Sequence, residues 1–226
     1  MKINIFKINQ FVYYRADYTK KELEHVYSGA EALCKSLNPK DTSGKVRTQS
    51  EQLVKNFGGL ISEKLVSDLL EKEAVEKGLS FIIGNSVLSK KDSEDYQIDH
   101  IVRYKDKVIT IETRSSFAYR TSSPDSVISR AFSIIGPYTT NQKHSEDVKD
   151  FYAFIFFFCE PDTLLGRYKN NGEISVYFAG GASREMMFDS RISSVTNLNM
   201  EDASYRVIKP ITRGLDAEKF MESIFS

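Results

Sequence analysis

Hydrophobic and polar positions alternate with two different periods along this chain, and the two periods predict strands and helices in turn. Residues 1–14 alternate in the manner of one strand or two, because successive side chains on a strand point to opposite faces. Apolar residues then recur every three or four positions over 19–37 and 48–77, which predicts two helices. Thr19 and Glu22 have the spacing of a capping box at the start of the first helix.

The second half of the chain predicts strands separated by short helices. A continuous apolar run over 151–159 is typical of a strand that is buried on both faces. Further predicted elements are strands over 80–87, 173–179 and 204–208, a Ser/Thr-rich loop over 115–126, and helices over 127–135 (ended by Gly136-Pro137), 183–188 and 217–225. This order predicts a single α/β domain over 1–226, with a central mixed β-sheet flanked by helices.

One segment, QIDHIVRYKDKVITIETRSS, carries the most chemistry. It predicts a strand that opens on Asp99, a polar turn at 105–107, and a second strand over 108–113 that carries Glu112 and leads into Arg114. Glu112 and Arg114 are two residues apart, so they share a face of the strand. The turn folds Asp99 back toward Glu112, and a divalent cation such as Mg²⁺, which prefers oxygen ligands, relieves the repulsion between two carboxylates.

An edge hairpin with ordinary solvated charges is the alternative interpretation of these residues. Glu112, however, ends the apolar run Val-Ile-Thr-Ile-Glu. Such a run favours an internal strand, and a charge at the end of an internal strand needs a partner or a metal ion.

This arrangement resembles the PD-(D/E)XK nuclease superfamily, and within it the type II restriction endonucleases. In that family an Asp opens a strand, a hairpin leads to E-x-K on the next strand, and an upstream helix often adds a Glu. Asp99 and Glu112 match the two acidic positions, Glu63 matches the helix Glu, and Arg114 stands where the family has lysine. The resemblance covers about 50–158, and it implies a restriction-endonuclease-like fold and Mg²⁺-dependent hydrolysis of DNA.

The resemblance also implies a role for each residue. Asp99, Glu112 and Glu63 would bind Mg²⁺ together with the backbone carbonyl of Thr113. Arg114 would hold the scissile phosphate or the attacking water, but it would not act as a general base, because arginine keeps its proton. Glu63 lies at the margin of the apolar stripe of its helix, so it either faces the sheet or is solvated. A homodimer that cuts a palindromic site in double-stranded DNA is the implied assembly, and a non-catalytic nuclease-like module that binds DNA or protein is the alternative.

The overall charge does not indicate nucleic acid, but one stretch of the chain is basic. The 226 residues are 41% hydrophobic and 27% charged, which is ordinary for a globular protein, and the net charge is zero. Between residues 113 and 145 there are four cationic residues and one acidic residue, a net charge of +3 that could also arise by chance. Besides Arg114, the candidates for contacts with DNA there are Arg120, Arg130, Lys143 and His144.

Other functional classes find no support in the sequence. Cys34 and Cys159 are far apart and no Cys/His ligand spacing occurs, so neither a zinc site nor an oxidising compartment is indicated. There is no P-loop, dinucleotide-binding or GxSxG motif. The longest apolar run, 152–159, is far shorter than the roughly 20 residues that span a bilayer, and we expect a cytoplasmic protein. His100 is expected to point away from the face of Asp99, as a hydrogen-bonded histidine of the core or an interface.

Overall fold

Two β-sheets make up the framework of the protein. The computed structural model describes residues 1–36, 46–85, 99–140, 147–197 and 203–226. The strands of the larger sheet are β1 (Lys2–Ile8), β2 (Phe11–Tyr18), β3 (Phe81–Asn85), β4 (His100–Tyr104), β5 (Lys107–Phe117), β7 (Phe151–Phe157) and β8 (Ile174–Ser183). The smaller sheet contains β6 (Ile134–Thr140), β9 (Ser194–Asn197) and β10 (Ala203–Ile208).

The larger sheet is mixed. Its strand order is β1-β2-β8-β7-β5-β4-β3, and every neighbouring pair is antiparallel except β5 and β7, which are parallel. The smaller sheet is antiparallel, in the order β6-β10-β9. In the larger sheet β5 therefore lies between β4 and β7, which confirms that the strand of Glu112 is internal.

Among the described residues, four longer helices cover one face of the larger sheet, and two short ones lie on the other. The helices are α1 (Lys20–Ser36), α2 (Gln49–Glu76), α3 (Pro124–Ser126), α4 (Pro161–Lys169), α5 (Arg184–Phe188) and α6 (Ala217–Ile224). Helix α3 continues as a π-helical turn over Val127–Ala131. One hydrophobic core cluster lies between the longer helices and the sheet. It contains Phe57, Ile61 and Leu65 of α2 together with Ile109 and Ile111 of β5. No helix in the described ranges is both long and apolar enough to cross a bilayer.

The smaller sheet helps to cover the opposite face. There Tyr152, Phe154 and Phe156 of β7 belong to a second core cluster with Ile134 of β6 and Ile208 of β10. Tyr152 of β7 lies beside Glu112 of β5 in the register of the sheet. Neighbouring residues in register share a face, so Glu112 points toward the second cluster and Ile111 points toward α2.

The prediction of an α/β fold with a central mixed sheet is confirmed. Thr19 and Glu22 do meet at the start of α1, where the Thr19 amide and hydroxyl each donate to Glu22 Oε2 at 2.8 Å. The predicted helix 183–188 corresponds to α5, and the predicted closing helix corresponds to α6.

Several predicted boundaries are wrong. The loop predicted over 115–126 begins too early, because β5 continues to Phe117 beside β7. The helix predicted over 127–135 ends at Ala131, and Gly136-Pro137 lies inside β6. An edge strand tolerates a proline because one side of its backbone needs no partner strand, and β6 is such an edge.

Candidate active site

The hairpin of β4 and β5 brings Asp99 against the backbone that follows Glu112. Its register pairs His100 with Ile111 and Tyr104 with Lys107. Asp99 immediately precedes β4, so one further step in the same register sets it opposite Glu112. The Asp99 carboxylate accepts a hydrogen bond of 2.7 Å, at Oδ2, from the backbone amide of Thr113. Asp99 is thereby held beside the Glu-Thr-Arg segment.

Glu112 and Arg114 share one face of β5, as their spacing predicts. Arg114 Nη2 lies 3.3 Å from Glu112 Oε1. Glu112 is buried, with only 7% of its surface exposed. About a quarter of the Arg114 side chain is exposed. A buried carboxylate without a cation would be strongly disfavoured, so this pair stabilises the charge on Glu112.

The smaller sheet borders this side of the site. The Arg114 guanidinium lies over the ring of Tyr138 in β6, 5.7 Å from its centroid. That ring is 5.4 Å from the ring of Tyr205 in β10. A cation over an aromatic face is attracted by the negative charge of that face. Tyr138 therefore helps to orient Arg114, a role that the sequence did not reveal because its strand was not predicted.

Thr113 is held from the opposite face of the sheet. The His100 ring nitrogen Nε2 lies 3.1 Å from Thr113 Oγ1, and Nδ1 lies 3.4 Å from Ser67 Oγ on α2. His100 is completely buried, and burial lowers its pKa from 6.5 to about 4. The prediction of a hydrogen-bonded core histidine, facing away from Asp99 and Glu112, agrees with this geometry.

The backbone of Thr113 offers an oxygen on the side where Asp99 lies. In antiparallel sheets the N–H and C=O groups of one residue point toward the same neighbouring strand. Because the Thr113 amide reaches Asp99, its carbonyl also points toward the start of β4. The carboxylates of Asp99 and Glu112 and this carbonyl are all hard oxygen donors, which is the donor set that Mg²⁺ prefers.

Glu63 lies on the other face of the sheet from Glu112. A Cβ atom placed on Gly58 of α2 would be 3.3 Å from the ring of Phe117, and Ser67 contacts His100. Glu63, one helical turn before Ser67, therefore lies on the side of α2 that faces the sheet. In the described part of the chain, no three His, Cys, Asp or Glu side chains are grouped to hold a metal ion. The metal-binding role of Glu63 thus stays a prediction.

Of the residues after Arg114 that were predicted to contact DNA, only Arg120 has a described side chain. Arg120 is exposed just after the end of β5, with its guanidinium 5.3 Å from the ring centroid of Tyr119. Arg130 lies in the π-helical turn, and its side chain is not described. Lys143 and His144 lie outside the described residues.

Two residues of the site, Ser67 and Tyr138, were missed by the sequence analysis. Ser67 follows Glu63 by four positions, so it shares the face of α2 on which Glu63 was placed. That spacing could have identified Ser67. No comparable signal exists for Tyr138, because its contact with Arg114 depends on the packing of one sheet against the other.

Comparison with known proteins identifies one relative of matching length. No protein-family model matches the chain, and no solved structure matches it. The uncharacterized protein MJECS01 of Methanocaldococcus jannaschii is 30% identical over 241 aligned positions, which include 95% of this chain and 86% of the archaeal protein. At that identity and coverage, the chain belongs to the same family as this archaeal protein.

Proposed function

We propose that the protein is a Mg²⁺-dependent DNA endonuclease of restriction type, which cuts a short palindromic duplex site as a homodimer. One observation carries this proposal: the Asp99 carboxylate accepts the amide of Thr113, the residue between Glu112 and Arg114. The arrangement supports a site in which two carboxylates and a guanidinium converge at the start of β4.

Each residue has a distinct chemical task in this proposal. Asp99 and Glu112 would hold the ion with the Thr113 carbonyl. Glu63 lies on the other face of the sheet, so its part in metal binding rests on the resemblance alone. When bound, Mg²⁺ neutralises charge on the phosphoryl oxygens and lowers the pKa of a coordinated water. Arg114 keeps its proton, so it binds the scissile phosphate and leaves activation of the water to the metal site.

The position of Arg114 suits a phosphate contact. A guanidinium carries five N–H donors in a fixed fork, so it can pair with a carboxylate and a phosphate at the same time. The ion pair with Glu112 uses Nη2, and the guanidinium lies over the ring of Tyr138. Binding by such a fork places the phosphate near the two carboxylates.

Contacts with the DNA backbone and the dimer follow from the same proposal. Arg120 and Tyr119 are exposed at the end of the strand that carries Glu112 and Arg114. A cation next to an aromatic ring is a frequent combination at nucleic-acid surfaces, because the cation binds phosphate and the ring stacks on a base. Two copies related by a two-fold axis would present two such sites to the two strands of a palindrome.

A non-catalytic nuclease-like module that binds DNA or protein is the second candidate. The observation in its favour is the ion pair between Glu112 and Arg114, at 3.3 Å. The Arg114 guanidinium is a permanent cation next to the Glu112 carboxylate. No metal ion is then required to offset the charge on Glu112. Such a protein would bind its partner equally well with and without Mg²⁺.

Cleavage of plasmid DNA separates the two candidates. Several supercoiled plasmids, chosen to cover most short palindromes, are incubated with the protein in Mg²⁺, in Ca²⁺ or in EDTA. The endonuclease gives discrete fragments in Mg²⁺ alone, and the Glu112→Gln variant, purified in parallel, gives none. Discrete fragments from the variant would identify a contaminating nuclease. A parent protein that retards DNA in a gel but never cuts it supports the non-catalytic module.

A further inference from the structure

A buried histidine joins helix α2 to the centre of the proposed active site. His100 is the first residue of β4, and none of its surface is exposed. Both of its ring nitrogens lie near hydroxyl groups: Nδ1 is 3.4 Å from Ser67 Oγ, and Nε2 is 3.1 Å from Thr113 Oγ1. Hydroxyls can donate or accept, so either neutral tautomer of the ring satisfies both contacts.

Thr113 is the residue on which the geometry of the site depends. It lies between Glu112 and Arg114, its amide binds the Asp99 carboxylate at 2.7 Å, and its carbonyl points toward the start of β4. Its side chain, by contrast, points to the α2 face of the sheet, where His100 contacts it. A movement of this backbone unit would therefore displace several groups of the site together.

We infer that His100 is a positioning residue, whose imidazole holds Thr113 from behind the sheet and so fixes the amide that binds Asp99 and the carbonyl offered to the metal. The inference deepens the proposed function and rests on it. Ser67 supplies the second fixed point, because it belongs to a helix that packs on β5 through its own apolar residues. Groups behind the metal ligands commonly act in this way, and their loss typically lowers metal affinity or activity by about 10–100-fold.

Two substitutions at position 100 separate positioning from general support of the fold. The amide of glutamine extends about as far as Nε2 of histidine, so His100→Gln can keep a contact with Thr113 Oγ1. The shorter amide of asparagine reaches only the level of Nδ1, so His100→Asn can contact Ser67 but not Thr113. Both variants lose the ring, and both should therefore lower the melting temperature.

Three measurements are made on the full chain: the single-turnover cleavage rate as a function of Mg²⁺, the affinity for Mn²⁺ by calorimetry, and hydrogen exchange at the Thr113 amide. In His100→Asn we expect cleavage and Mn²⁺ affinity to fall by about 10–100-fold and the Thr113 amide to exchange faster. His100→Gln should stay within a few-fold of the parent. Thr113→Val, which removes only the hydroxyl contact, should resemble His100→Asn.

The outcomes distinguish failure of this inference from failure of the proposed function. The inference is overturned if His100→Asn cuts DNA and binds Mn²⁺ as the parent does and its Thr113 amide exchanges at the parent rate. The nuclease assignment then stands. If both variants lose activity only in proportion to their melting temperatures, His100 has a structural role alone. A parent that neither cuts DNA nor binds Mn²⁺ overturns the proposed function, and His100 then positions no active site.

Discussion

The Asp99 carboxylate and the Thr113 backbone amide are joined by a hydrogen bond of 2.7 Å. The bond closes the open end of the hairpin between β4 and β5, where Asp99 precedes the first paired residue, His100. Asp99 therefore has two separable tasks: it accepts a backbone hydrogen bond, and it brings a negative charge to the site. Different substitutions remove one task or both.

Asp99→Asn should abolish cleavage and leave stability nearly unchanged, whereas Asp99→Ala should affect both. Asparagine keeps an oxygen that can accept the Thr113 amide but has no charge for a metal ion. Alanine loses the acceptor as well, and we expect it to lower the free energy of unfolding by about 1 kcal/mol. Urea denaturation and plasmid cleavage measure the two effects, with Asp106→Asn at the tip of the same hairpin as the control. Cleavage by Asp99→Asn at the parent rate would contradict the metal-binding role.

Arg114→Ala should damage catalysis more than DNA binding. Its guanidinium is one phosphate contact among many, so its loss should weaken binding by no more than about tenfold. At the scissile phosphate, however, the same contact acts where charge develops, so the cleavage rate should fall far more. Single-turnover rates and DNA titrations measure the two quantities separately.

Arg114→Lys is the sharper comparison at this position. In the family pattern that the chain resembles, lysine occupies this place, so the variant should cut at least as fast as the parent and over a wider range of pH. Its ammonium can also pair with Glu112, which the present guanidinium contacts at 3.3 Å. If Arg114→Ala cuts DNA at the same single-turnover rate as the parent, residue 114 lies outside the active site.

Local sequence patterns were sufficient to predict the hairpin but not its surroundings. Alternation put Glu112 and Arg114 on one face, and the polar turn folded Asp99 back, because both features depend on neighbours in the chain. The apolar run before Glu112 correctly indicated an internal strand. The same local rules predicted a strand over 151–159, of which residues 151–157 form β7, and both long helices.

Contacts between distant elements could not be predicted in this way. β10 was predicted as a strand over 204–208, but the smaller sheet was missed because β6 contains Gly136-Pro137, which ordinarily marks a break and is tolerated here at a sheet edge. The contact of Arg114 with Tyr138 and that of His100 with Ser67 both join elements well separated along the chain. Their formation depends on how the layers pack, which periodicity does not encode.

Arg120→Ala should weaken DNA binding without slowing the bound enzyme. Arg120 is exposed beside Tyr119, beyond the end of β5. Loss of one phosphate contact should reduce the slope of log affinity against log salt by roughly 1, while the single-turnover rate at saturating DNA stays at the parent value. Lys169→Ala, at the exposed end of α4, is the matched control and should change neither quantity. An unchanged slope in Arg120→Ala would remove this residue from the DNA interface.

In EDTA, the contribution of His100 to the free energy of unfolding should decrease as the pH falls from 6.5 toward 4. Burial lowers the pKa of its imidazole from 6.5 to about 4, so the unfolded chain takes up a proton at a higher pH than the folded protein does. The stability that the neutral ring contributes is fully present above pH 6.5 and is lost as the pH falls toward 4, by up to about 3 kcal/mol. Urea denaturation in EDTA at half-unit pH steps measures the change.

The difference between the parent and His100→Gln isolates this effect from the titration of carboxylates in the same range. Glutamine does not titrate, so the difference in unfolding free energy between the two proteins should narrow as the pH falls through this window. His25→Gln serves as the control, because it removes an exposed histidine of α1 and leaves the buried ring of His100 in place. If the parent and His100→Gln give parallel profiles from pH 7 to 4, the ring of His100 is not held neutral by its burial.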